Sequence, residues 1–198
     1  MRWRELWHPN IISLCITYGI IRYGTNITIT LIAMYAVSTF KWSVNLLSWM
    51  TIAGGFSGFL MITILIRCNV FKGIRQNYFF YFSALNVTLF ILAMLPLPAF
   101  MNIQMYHLQM TYFIVLMILK SWMYFNAQSA GKVLLFNTVT PENSCLIDGV
   151  RSTSGAIMRL FALSTSFLSY KYPMYFFLPL GSIMFMATCV ILMRYKYT

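Results

Sequence analysis

Long runs of apolar residues, recurring from one end of the chain to the other, constrain this sequence more than any motif it carries. A helix needs about 20 mostly apolar residues to cross a bilayer, and stretches of that kind lie near 10–37, 44–66, 78–100, 108–138, 149–170 and 173–193. Their connections are short, the longest polar stretch running from Arg67 to Asn77, which leaves no room for a second soluble domain or a low-complexity tail. Only 9% of the 198 residues are charged and 60% are hydrophobic, against roughly a quarter charged in ordinary soluble domains. Such a chain lacks the polar surface to dissolve in water. The expected class is an all-α integral membrane protein: one membrane domain, 1–198, a six-helix bundle whose first partner is the lipid bilayer.

An even number of spans returns both termini to one side, and the cations say which. Arg2, Arg4, Arg67, Lys72, Arg75, Lys132, Arg151, Arg194 and Lys196 fall on one face, while only Lys41 and Lys171 fall on the other. Positive charge concentrates on the cytoplasmic side, so the N- and C-termini are both expected there, with the plasma membrane as the expected location. The net charge of +11 is thereby explained by topology, and no nucleic acid is expected as a partner.

Three of the 14 cations, Arg22, Lys120 and Arg159, lie inside the apolar stretches. An uncompensated Arg or Lys at the bilayer centre costs about 2.5–3.5 kcal/mol on insertion scales. Three of them would cost on the order of 8–10 kcal/mol, as much stability as most domains possess. The chain has three carboxylates, Glu5, Glu142 and Asp148, and all fall near the cytoplasmic boundary, too far away to neutralise them. The cations therefore require a polar cavity within the bundle, filled by water or by an anionic ligand. Around Lys120 the sequence runs Lys120-Ser121-Trp122-Met123-Tyr124-Phe125-Asn126-Ala127-Gln128, placing Tyr124 one turn and Gln128 two turns from the cation. Arg22, Lys120, Tyr124, Asn126 and Arg159 are the candidate substrate-binding residues. An aromatic and amide stripe beside a cation suits a small organic anion, although Trp and Tyr in membrane helices also simply pack or anchor.

Other chemistries find no support. His8 and His107 are far apart, and the four cysteines are scattered singly, so neither a metal site nor a disulfide framework is expected. No phosphate loop, nucleophile triad or carboxylate pair is visible; no enzyme activity and no cofactor is expected. The 15 methionines read as gap-fillers in apolar packing. Gly54, Gly55 and Gly58 in the second stretch, and Ser152, Ser154, Gly155 and Ala156 in the fifth, are small residues that let helices approach closely.

Glu5-Leu6-Trp7-His8-Pro9-Asn10, followed by Ile21-Arg22-Tyr23-Gly24-Thr25-Asn26, resembles the entry and middle of the seventh helix of organic ion transporters of the major facilitator superfamily. Leu119-Lys120, then Thr140-Pro141, Gly149-Val150-Arg151-Ser152-Thr153-Ser154 and Arg159, resemble the tenth and eleventh helices and the short loop between them. The resemblance covers essentially the whole chain and implies the C-terminal six-helix half of that fold. It implies that Arg22, Tyr23 and Lys120 line a central cavity. It also implies that Arg159 holds the position where anion carriers have Arg and cation carriers an acid. Two departures concern the cytoplasmic gate. The loop after the second stretch lacks the family's Asp, and Glu142 follows Pro141 instead of preceding it. A substitute gate would pair Glu142 or Asp148 with Arg67, Arg75 or Arg151; the same residues also read as solvated charges that set topology.

One half of such a fold moves a substrate only by rocking against another. The expected function is accordingly transmembrane transport of small organic ions, chiefly anions, by alternating access with a complementary N-terminal half or as a homodimer. The alternative is a truncated or divergent relative that no longer transports and acts as a membrane interaction protein.

Overall fold

The computed structural model describes residues 9–38, 40–68 and 106–172, with isolated positions 183, 186, 187 and 190. Four long helices make up this part: α1 (Pro9–Ser38), α2 (Val44–Arg67), α3 (Tyr106–Thr138) and α4 (Pro141–Lys171). No strand occurs among the described residues. The stretch expected near 78–100, almost all of that near 173–193, and Arg75 lie outside them.

Among the described residues, three helices are long and apolar enough to cross a membrane, over Ile11–Ser38, Val44–Arg67 and His107–Val133. α4 is equally long, but Asp148, Arg151, Arg159 and its many serines and threonines make it more polar. It also begins at Pro141, well ahead of the apolar stretch expected near 149–170. Hydropathy registers where a helix is greasy, whereas the start of α4 is set by Thr140 in extended conformation with Pro at the first helical position, where a missing N–H costs no hydrogen bond. At the head of α2, the Ser43 hydroxyl accepts the Leu46 N–H at 3.3 Å, an N-cap that satisfies one orphan donor.

α1 packs along α4, α2 packs along α3, and the pairs join mainly where α1 meets α3. α1 is the buried axis: Tyr18, Ile21, Ile27, Leu31, Ile32 and Tyr35 are each at most 3% exposed. Two of its buried hydroxyls bond back to its own carbonyls, Thr25 to Ile21 at 2.8 Å and Thr28 to Gly24 at 2.7 Å, which removes the cost of carrying them in apolar surroundings, whereas Thr17 Oγ1 is buried without a hydrogen-bond partner. Polarity is inverted on the outside. Trp49, Phe56, Ile52 and Phe59 on α2 are at least 60% exposed, which suits a surface bathed in lipid tails as apolar as the side chains.

Close helix approach depends on glycine at a few positions. A Cβ on Gly54 would lie 3.0 Å from Ser121 Oγ, and one on Gly58 would strike the Phe125 ring, joining α2 tightly to α3. Gly55 faces open space, Ser152 and Ala156 are exposed, and Gly155 alone of the α4 group is buried.

The α1–α2 turn closes the bundle at one end. Trp42 N–H donates to Ala36 O at 3.0 Å and Phe40 N–H to Tyr35 O at 3.2 Å. Phe40 and Trp42 meet the Phe113 ring edge-on at 5.2 and 5.6 Å, and Ser38 Oγ and Tyr170 Oη are hydrogen-bonded at 2.7 Å. The turn requires Lys41 to adopt φ 54°, a left-handed conformation that costs most residues about 1–2 kcal/mol and glycine almost nothing. Lys41→Gly, which also loosens the unfolded chain, is expected to leave the melting midpoint nearly unchanged. Lys41→Val should lose about 1 kcal/mol or more, because a β-branched residue tolerates this region worst. Thermal denaturation of both variants checks the pair.

A candidate anion-binding cavity

Where the two helix pairs meet, a cavity of about 230 Å³ opens between all four helices, lined by Arg22, Lys120 and Arg159 among others. Three cations that lie 39 or more positions apart in the chain thus face one space. α1 also contributes Thr25, Asn26 and Ile29, α2 contributes Thr51 and Gly55, and α3 contributes Ser121, Tyr124 and Phe125. The walls carry hydroxyls, an amide and two aromatic rings. No aspartate or glutamate is among these lining residues.

Helical spacing accounts for the arrangement. Arg22, Thr25, Asn26 and Ile29 follow the i, i+3, i+4, i+7 pattern of one face, and on α3 Lys120 and Ser121 are each followed one turn later by Tyr124 and Phe125. Asn26 Nδ2 donates to Arg22 O at 2.6 Å, and Thr51 Oγ1 to Leu47 O at 2.9 Å.

Two phenols hold the Arg22 guanidinium. Nε donates to Tyr18 Oη and Nη1 to Tyr124 Oη, each at 2.6 Å, and Cζ lies 5.2 and 5.1 Å from the two ring centroids. Lys120 is only 8% exposed. Behind the cavity, Arg151 Cζ stands 4.4 Å from the Tyr18 centroid. Its Nε and Nη2 donate to Asp148 Oδ1 at 2.8 and 2.6 Å. A ladder therefore runs Asp148, Arg151, Tyr18, Arg22, Tyr124, from the first half of α4 to the cavity wall. Tyr18 is absent from the residues singled out in the sequence; it lies four positions before Arg22, the same spacing that brought Tyr124 to notice beside Lys120.

Not every candidate reaches the cavity. Tyr23 is buried against α4, its Oη hydrogen-bonded to Thr165 Oγ1 at 2.6 Å, within the apolar core. One position along a helix rotates a side chain by about 100°, which at Tyr23 turns the ring from the cavity towards Thr165 of α4. Asn126 and Gln128 also lie outside the lining, and Asn126 Oδ1 is buried without a hydrogen-bond partner. Of the gate candidates, Asp148 and Arg151 meet, Arg67 is exposed at the end of α2, and Glu142 stands in the first turn of α4.

A larger open groove of about 960 Å³ runs along α4 past Cys145, Gly149, Thr153, Ile157 and Met158, but it gathers no charge. Among the described residues, no cluster of His, Cys, Asp or Glu could hold a metal ion. No family model matches the chain, and no curated protein or solved structure matches it significantly.

Proposed function

We propose that the chain is a transmembrane transporter, or half of one, that takes small organic anions into the cavity between the four helices. In this reading six helices cross the plasma membrane with both termini cytoplasmic, and the chain works by alternating access against a complementary half or a second copy of itself. The observation that carries the reading is the convergence of Arg22, Lys120 and Arg159 on one space with no acid among the described residues of its walls. Cations so placed in a membrane interior are costly until an anion or water compensates them. Arg22, oriented by Tyr18 and Tyr124, presents its remaining N–H groups without reorganisation, which favours binding.

The test is thermal denaturation of the purified chain with panels of organic anions and cations, with oligomeric mass recorded alongside. A ligand of the folded state raises the midpoint by mass action. Anions should stabilise and cations should not. Arg159→Ala should weaken the effect about 10- to 150-fold in concentration, corresponding to a charge-assisted contact of about 1.5–3 kcal/mol. A monomeric mass with no anion effect would defeat transport by this chain.

The second reading, a non-transporting membrane interaction protein, is supported by the two short phenol bonds that satisfy part of Arg22 within the chain. It predicts an unliganded cavity and the same midpoint in every anion.

A further inference from the structure

We infer that the ligand of this cavity is a compact anion carrying at least two negative charges. The inference rests on the anion-binding reading above and narrows it to a charge and a size.

The first argument is charge. Arg22, Lys120 and Arg159 face one space with no carboxylate among the described residues that line it. A singly charged ligand would leave two of the three cations uncompensated, which is most costly at the buried Lys120, because unpaired charge is expensive in low dielectric. The second argument is hydrogen bonding. Arg22 has committed two of its five donors to Tyr18 and Tyr124. Among the described residues, Lys120 and Arg159 side chains have no hydrogen-bond or ion-pair partner. Three donors on Arg22, three on Lys120 and five on Arg159 exceed the roughly four lone-pair sites of a single carboxylate. Two anionic groups match this supply better than one.

The third argument is volume. About 230 Å³ corresponds to roughly eight water molecules at about 30 Å³ each, and it is smaller than the roughly 300–1,000 Å³ typical of sites for drug-sized ligands. Charge must then come from dense substitution of a short frame. The apolar edges of Ile29 and Phe125 leave space for a few methylene groups between the anionic ends.

Succinate and its monomethyl ester differ by one charge on nearly the same frame, and the dimethyl ester removes both. Binding of the three to the full-length purified chain would be read by calorimetry and by midpoint shift. Succinate is expected to bind at least tenfold more tightly than the monoester, and the diester not at all. Lys120→Met should bring the ratio towards one, while Lys120→Arg should keep it; unliganded midpoints report whether each variant folds. Should Lys120→Met fail to fold, the wild-type ratio decides alone. Equal affinity for succinate and monoester would overturn the charge inference and leave the anion cavity standing. Absence of binding by any anion in the wider panel would overturn both.

Discussion

Replacing Gly155 with alanine is expected to lower the melting midpoint, and replacing it with leucine to abolish folded protein. A Cβ at this position would lie 2.8 Å from Tyr18 Cε1 and 3.4 Å from Arg22 Cγ. Neither neighbour can retreat freely. The Tyr18 ring has the Arg151 guanidinium 4.4 Å from its centroid, and its hydroxyl accepts the Arg22 Nε–H. Overpacking of this kind costs about 1–3 kcal/mol, more than the roughly 0.8–1 kcal/mol that alanine gains over glycine inside a helix. The net loss for Gly155→Ala should be up to about 2 kcal/mol. Leucine adds three further carbons to the same closed space, and α1 and α4 would have to separate along their contact. Gly149→Ala on the same helix is the control, since nothing lies within 4 Å of a Cβ there; it should raise stability by about 0.5–1 kcal/mol. If Gly155→Ala melts with Gly149→Ala, the two helices do not approach as described. Anion binding adds a second readout, because displacing Tyr18 and Arg22 should weaken it even where Gly155→Ala remains folded.

The cations are legible in the sequence because Arg22, Lys120 and Arg159 each interrupt a long apolar stretch, where a charge is expensive if the stretch spans a bilayer. Their convergence was not legible, since it depends on how four helices turn relative to one another. Helical spacing found Tyr124 from Lys120, and the same step taken backwards from Arg22 would have found Tyr18. Tyr23 was carried by family resemblance, whereas the rotation between adjacent helical positions puts it into the α1–α4 contact with Thr165. The helix edges follow the same division. α2 lies where its apolar run lies, but α4 starts at a proline inside a polar segment that hydropathy assigns to a loop. Of the small residues, the pattern could not single out Gly155 from Ser152 and Ala156, because all are small and only the packing of Tyr18 decides which must lack a Cβ.

Asp148→Ala should cost about 1.5–3 kcal/mol, an unusually large effect for an acid that is partly exposed. The reason lies in its partner. Arg151 is 5% exposed, its Nη1 is buried without a hydrogen-bond partner, and two of its donors rest on Asp148 Oδ1. Removing one member of a fully buried pair typically costs about 3–5 kcal/mol because the other is left charged and unpaired. The Asp148 side chain is 44% exposed, so water partly replaces it, which sets the lower figure. Replacing both members, Asp148→Ala with Arg151→Met, should recover most of the loss, since an unbranched apolar side chain can fill the space beside Tyr18 without needing a partner. Denaturation midpoints of the four proteins in the cycle give the coupling directly. Exchanging the charges separates a strut from a simple gate. Were the pair only an attraction between two exposed groups, Asp148→Arg with Arg151→Asp would restore it. The ring of Tyr18 favours a cation against its face and disfavours a carboxylate, so the exchange should fail to rescue stability. A failed exchange beside a successful apolar double replacement would mean that the pair fastens α4 to α1 through Tyr18. Asp148→Ala should then also weaken anion binding at a distance, because Tyr18 holds Arg22 in place.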